Sequence, residues 1–195
     1  MTKLCFGGSF NPIHSGHLLV ARAVAEARGF ERVVLVPSAV PPHKAASAEL
    51  ADACHRLAMC QAVTRDDAFF EVEDLELRRT GPSYTLDTVR ELKARGWANV
   101  AWLIGADMVA ILPKWHRPAE LMAEAELVIA QRPGSPIDWA GLPAMFRGLR
   151  DHVVRAPLLE ISASEIRQRI RDGRPVRYSV PEAVERYIAD HHLYI

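Results

Sequence analysis

Two histidines three residues apart, just after a pair of glycines, mark the most informative stretch: Gly7-Gly8-Ser9-Phe10-Asn11-Pro12-Ile13-His14-Ser15-Gly16-His17. An apolar run over residues 3–6 leads into the glycines and helical periodicity begins near Ser15, so the stretch reads as a strand-to-helix junction. Glycines admit a phosphate close to the backbone, and a helix N-terminus offers unpaired N–H groups at the positive end of its dipole. His14 and His17, at i and i+3, share one face of the first turn. Two imidazole donors there can hold phosphate oxygens whose charge grows during a transfer reaction. No Gly-Lys-Ser/Thr follows and no Gly-x-Gly-x-x-Gly is present, which excludes a Walker loop and a dinucleotide fingerprint. For either histidine taken singly, a surface or capping role is the alternative. Zinc would want further ligands that the stretch does not offer.

Other polar groups stand where further apolar runs end. Pro41-Pro42-His43-Lys44 follows the run 32–36 and brings a lysine point charge suited to phosphate, or else a solvated loop charge. Ser83-Tyr84-Thr85-Leu86-Asp87-Thr88 opens a helical period with Ser83 or Thr85 as N-cap, and a helix start also welcomes a carboxylate. In Gly105-Ala106-Asp107, after the run 100–104, Asp107 can accept two hydroxyl bonds or cap a helix over 108–112. Trp115 lies in Pro113-Lys114-Trp115-His116; an isolated Trp is more often a core residue, but these polar surroundings favour a site wall. Ile161-Ser162-Ala163-Ser164-Glu165-Ile166-Arg167 starts another helix. Ser162 or Ser164 is its cap, and Arg167 can grip two oxygens in a fork.

The first string resembles the HxGH nucleotidyltransferase superfamily. With the others, over essentially the whole chain, it resembles the bacterial nicotinate-nucleotide adenylyltransferases. Their usual opening is Gly-Gly-Thr-Phe-Asp-Pro-x-His-x-Gly-His, and this chain has Ser9 and Asn11 at the Thr and Asp positions. The resemblance implies catalysis by His14, His17, Lys44 and Arg167. It implies ATP contacts at Gly7, Gly8, Ser9, Phe10, His17, Gly105, Asp107, Ile161, Ser162, Ser164 and Arg167, and mononucleotide contacts at Lys44, Ser83, Tyr84, Thr85 and Trp115. The implied reaction joins nicotinate mononucleotide to the AMP part of ATP with release of pyrophosphate, by direct in-line attack and without a covalent enzyme intermediate. Few acidic residues lie in the motifs, so Mg²⁺ is expected to travel mainly on ATP, with no metal site of the protein's own. A phosphopantetheine adenylyltransferase would share the histidine and Ser/Arg segments but not Ser83–Thr88 together with Trp115. A cytidylyltransferase, a fragment of a class I aminoacyl-tRNA synthetase and a non-catalytic nucleotide-binding regulator are the remaining alternatives.

The elements that must position these residues alternate along the chain. Strands are expected over 3–6, 32–36, 69–77, 100–104, 127–130, 152–155 and 158–161. Helices are expected over about 15–28, 48–63, 85–95, 108–112, 164–171 and 181–192, three of them ending at Gly29, Gly96 and Gly173. Such alternation predicts an α/β, Rossmann-like fold with a mainly parallel sheet and helices on both faces. The site is then expected in the loops beyond Phe6, Val36, Ile104, Ala130 and Ile161. With 195 residues, 49% of them apolar, the chain suits one nucleotidyltransferase domain over 1–195. Basic and acidic side chains number 24 each, and the first 97 residues hold 12 of each, so no basic excess points to nucleic acid. Eight arginines between 147 and 177 against four acids suit a compact polyanion or a solvated face. No run approaches a membrane span or a signal peptide, and Cys5, Cys54 and Cys60 read as reduced core residues. A cytoplasmic protein is expected, and a homo-oligomer is compatible with the sequence.

Overall fold

The computed structural model describes residues 2–42 and 49–195. Six strands, β1 (Lys3–Gly8), β2 (Arg32–Pro37), β3 (Phe70–Val72), β4 (Ala101–Gly105), β5 (Glu126–Gln131) and β6 (Val153–Arg155), form one sheet in the order β3-β2-β1-β4-β5-β6. The pairs β1–β4, β4–β5 and β5–β6 are parallel, with Cys5 opposite Trp102 and Leu103 opposite Val128. This is the strand order of doubly wound nucleotide folds, and the α/β expectation holds. The α-helices among the described residues are α1 (Ser15–Ala27), α2 (Ala53–Asp66), α3 (Leu75–Arg78), α4 (Thr85–Ala94), α5 (Ala106–Val109), α6 (Pro118–Glu124), α7 (Ala163–Arg171) and α8 (Glu182–Asp190).

By its contacts the chain divides into two compact units. The first comprises residues 1–7, 20–33 and 84–158. Its core is built from Leu4, Cys5, Trp102, Leu103, Ile104, Leu127, Val128 and Ile129, all buried. Runs this continuously apolar belong to parallel strands covered on both faces. A Cβ on Gly7 would overlap the Trp102 ring, so the strand end tolerates no larger residue there. On the surface of this unit Arg90 of α4 donates to Glu120 at 2.8 Å and Glu124 at 2.6 Å, tying α4 to α6.

The second unit comprises residues 8–19, 34–83 and 159–195. Val34–Val36, Met59, Cys60, Val63, Val184 and Ile188 are buried within it. Helices α2 and α8 pack together, and Tyr187 Oη lies 3.0 Å from His55 Nδ1. Glycines at φ +71° (Gly29) and +67° (Gly173) follow the ends of α1 and α7, where only a residue free of a Cβ enters the left-handed region without strain.

Several elements differ from the sequence reading. The extended stretch expected over 69–77 is a three-residue strand followed by the turn of α3, because Glu76 and Leu75 are both buried and no alternation survives past Val72. Residues 158–161 form no strand: Leu158 is exposed and the segment leads as a loop into α7. Helix α2 begins at Ala53, behind Asp52, rather than near 48, and α8 begins after Pro181, which takes the N-cap position. Helix α6 and the 3₁₀ segment Ala144–His152 were not expected. Cys54 is exposed, whereas Cys5 and Cys60 are core residues, and burial pushes the Cys60 thiol well above its ordinary pKa. No helix among the described residues is long and apolar enough to cross a membrane.

Candidate active site

In the second unit the chain leaves β1 through Ser9 and Phe10, whose φ of 44° turns the backbone sharply. His14 is then buried and α1 starts at Ser15, whose N–H donates to the Ser179 carbonyl at 2.9 Å. The two histidines lock each other. The His14 N–H donates to His17 Nδ1 and the His17 N–H donates to His14 Nδ1, each at 3.3 Å. A backbone N–H can only donate, so each Nδ1 is an acceptor and each neutral ring carries its proton on Nε2. The rings stack with centroids 3.6 Å apart and planes 20° from parallel, and the edge of Phe10 meets His17 at 5.3 Å. Burial lowers the His14 pKa from 6.5 to about 4, so its ring is neutral at pH 7. Two Nε2–H donors are thereby set by the backbone. A Cβ on Gly16 would come within 3.1 Å of His14 Nδ1 and 3.2 Å of its Cε1, tighter than ordinary contact, so glycine there leaves room for the His14 ring.

The second signature helix meets the same loop. Ser162 caps α7, its Oγ accepting the Glu165 N–H at 3.2 Å, so Ser162 and not Ser164 is the cap. Arg167 is 8% exposed and donates through Nη1 to the Asn11 carbonyl at 2.9 Å and through Nη2 to Glu49 Oε2 at 2.5 Å. Its Nε is buried and has no hydrogen-bond partner among the described residues. Ser164 Oγ lies 3.5 Å from the same Nη2. Ser83 pairs with Val40 through both its N–H and its Oγ, and so anchors the loop after β2. His43 and Lys44 lie outside the described residues.

Three residues to which sequence reasoning gave no site role, Arg56, Asn11 and Glu49, hold this loop in place. Arg56, 1% exposed, donates to the carbonyls of Ser9 at 2.8 Å, Ser38 at 2.6 Å, Ala39 at 3.0 Å and Ala51 at 2.8 Å. A signal existed, since Arg56 shares the apolar stripe of α2 with Met59, Cys60 and Val63, where a solvated charge does not belong. Asn11 Nδ2 donates to the Glu49 carbonyl at 2.8 Å, and its Oδ1 accepts from the Ala51 N–H at 3.0 Å and the Tyr194 hydroxyl at 2.9 Å. The aspartate of the usual opening could not make that donation, which accounts for the amide here. Glu49 carries no motif of its own and was legible only through its contacts.

The first unit holds the remaining candidates. Tyr84 is the N-cap residue of α4 without a side-chain capping bond, so neither Ser83 nor Thr85 takes that role, and Thr85 is the first helical residue. The Tyr84 ring stacks on His116, centroids 4.2 Å apart and 16° from parallel, beside Trp115. Trp115 is partly exposed, and its buried indole Nε1 has no partner among the described residues. Gly105 caps α5, and Asp107 falls in the first turn rather than at the cap. A Cβ on Gly105 would overlap Asp107 Oδ1, so the glycine makes room for that carboxylate. The eight arginines seen between 147 and 177 divide between the units, Arg147, Arg150 and Arg155 belonging to the first. Among the described residues, no three or more His, Cys, Asp or Glu side chains gather as a metal site.

Comparison with known proteins bears on what these groups serve. A cytidylyltransferase-like family model matches residues 5–169. A protein of Roseiflexus sp. (strain RS-1), described as a probable nicotinate-nucleotide adenylyltransferase, is 40% identical over 190 residues, 96% of this chain and 95% of the relative. A protein of Bacillus pumilus (strain SAFR-032) with the same description is 41% identical over 190 residues, 97% and 96% of the two chains. The chain belongs to the nicotinate-nucleotide adenylyltransferase family. The fold agrees: a Plasmodium falciparum nicotinic acid mononucleotide adenylyltransferase solved with NaAD superposes with a TM-score of 0.76 at 18% identity, covering 100% of this chain and 98% of that one. Within this family Ser9 and Asn11 are the departures in the opening motif, and the second now has a structural reason.

Proposed function

We infer that this chain transfers the adenylyl group of MgATP to nicotinate mononucleotide, giving nicotinate adenine dinucleotide and pyrophosphate. Family membership at about 40% identity over nearly the full length supports the substrates. The observation that carries the chemistry is the His14–His17 lock, which presents two pre-set Nε2–H donors beside the start of α1. A phosphate oxygen of the mononucleotide attacks the α-phosphorus of ATP, the bond to the β-phosphate bridging oxygen breaks, and pyrophosphate leaves with that electron pair. No covalent enzyme intermediate is needed, because the nucleophile is already anionic. His17 and His14 donate hydrogen bonds to the transferring and leaving phosphates, and Arg167 with Lys44 neutralises their charge. Mg²⁺ enters as part of the substrate.

Gly7, Gly8, Ser9 and Phe10 shape the phosphate loop, while Asp107 accepts ribose hydroxyl bonds. Thr85 and the first N–H groups of α4 receive the nicotinate carboxylate, and Trp115 supports the pyridine ring. We place all these roles in one nucleotidyltransferase domain of a cytoplasmic enzyme. The test is pyrophosphate release measured side by side with nicotinate mononucleotide, nicotinamide mononucleotide and phosphopantetheine. A carboxamide sets an NH₂ against protein donors, so kcat/KM should favour the acid by on the order of 10²-fold. Equal use of the amide, or turnover of phosphopantetheine alone, would overturn the assignment.

A further inference from the structure

The two guanidinium groups on successive turns of α7 share one carboxylate. Glu49 Oε2 lies 2.5 Å from Arg167 Nη2, and Glu49 Oε1 lies 3.4 Å from Arg171 Nη2. The partners are unequal. The Arg167 side chain is 10% exposed and further fixed by the Asn11 carbonyl, whereas the Glu49 side chain is half exposed. The Glu49 backbone is held separately, its carbonyl accepting from Asn11 Nδ2 at 2.8 Å, so its side chain can leave without moving the chain. Glu49 also uses the guanidinium incompletely. Nε–H and Nη2–H form one edge of the arginine fork, yet the carboxylate takes Nη2 and leaves Nε buried, with no partner among the described residues. An unpaired buried donor is costly, and an anion with more oxygens and more charge can satisfy both positions of that edge.

We propose that Glu49 competes with nucleotide phosphate for Arg167, standing where phosphate oxygens bind and so setting how tightly ATP and pyrophosphate are held. The inference rests on the reading of Arg167 as an ATP-phosphate residue. On binding, the phosphate takes the Nε/Nη2 edge and the Glu49 carboxylate moves into water. On release of pyrophosphate the carboxylate returns, which shortens the stay of the product. The arginine beside it holds the Glu49 carboxyl below the ordinary range, so the competitor is ionised at neutral pH.

Removing the charge should therefore tighten binding. A half-exposed ion pair weakens its competitor by about two- to fivefold. Glu49→Gln keeps the shape of a side chain on the surface and loses the charge. Titration calorimetry with magnesium pyrophosphate and with nicotinate mononucleotide, on the wild type, Glu49→Gln, Arg167→Gln and the double variant, tests the proposal. Pyrophosphate should bind Glu49→Gln about two- to fivefold more tightly and the mononucleotide unchanged, and the gain should vanish in the double variant. If Arg167→Gln weakens pyrophosphate but Glu49→Gln does not tighten it, or weakens it too, the competition is refuted while the role of Arg167 stands. If Arg167→Gln leaves pyrophosphate binding unchanged, the phosphate reading of Arg167 fails and the competition with it.

Discussion

His14→Asn should make the protein more resistant to acid while making it a worse enzyme. The His14 ring is 5% exposed and its pKa falls from 6.5 to about 4 on burial. Below pH 6.5 the unfolded chain binds a proton at this residue that the folded chain refuses. Stability from this group is thus fully present above 6.5 and is lost as pH falls towards 4. Linkage puts the loss at about 2 kcal/mol by pH 5 and about 3 kcal/mol below pH 4. Against a total stability of roughly 5–15 kcal/mol this is a large share. Asparagine offers Oδ1 to the His17 N–H in place of Nδ1 but cannot take a proton. Glu49, Glu120, Glu124 and Asp172, whose carboxyls are held low by neighbouring arginines, lose their contributions in acid equally in both proteins. Urea unfolding of wild type and variant at pH 7, 6 and 5 isolates the histidine. The stability difference should move by about 2 kcal/mol in favour of His14→Asn between pH 7 and pH 5. Parallel curves would mean that the folded ring accepts a proton freely, and the argument for a neutral, backbone-set donor would fail.

His17→Ala should lower kcat by roughly 10²–10³-fold with the fold intact, as for loss of one pre-set donor, and circular dichroism with steady-state kinetics decides it. A near-normal kcat would remove His17 from the chemistry. Arg56→Met strands four carbonyl acceptors and should cost on the order of 3 kcal/mol, seen as a lower urea midpoint; a change under about 1 kcal/mol would show that water replaces the guanidinium.

The strand-to-helix alternation was legible because β2, β4 and β5 are continuous apolar runs and α1 ends at a glycine, signals that local chemistry imposes. Residues 158–161 misled because Leu158 and Ile161 look like a buried pair, yet Leu158 faces solvent and Ile161, beside Gly16, is only partly buried. The motif residues were legible by resemblance, and His14 and His17 by spacing alone. What holds them was not. Arg56 reaches back 47 residues to Ser9, Tyr194 reaches back 183 to Asn11, and Arg167 reaches 118 to Glu49. Such contacts leave no periodic trace. Arg56 is the exception in kind, since a charge on an apolar stripe is itself a local anomaly.

The way the histidines are held has a chemical consequence. A histidine whose Nε2 must accept a proton or bind a metal is commonly oriented by a carboxylate or carbonyl on Nδ1–H. That arrangement would put the proton on Nδ1 and, with a carboxylate, a negative charge next to a triphosphate. Here each Nδ1 instead accepts a backbone N–H from the other residue, which makes Nε2–H the donor of each neutral ring and adds no anion. Arg56 follows the same rule, spending its charge on four neutral carbonyls. The described carboxylate that does stand among these groups, Glu49, sits on the most exposed end of the network, where leaving for water is cheap. On the proposed reading, a polyanion site built this way keeps its donors fixed and the Glu49 charge displaceable, so that changes at Glu49 should alter nucleotide affinity without disturbing the geometry at His14 and His17.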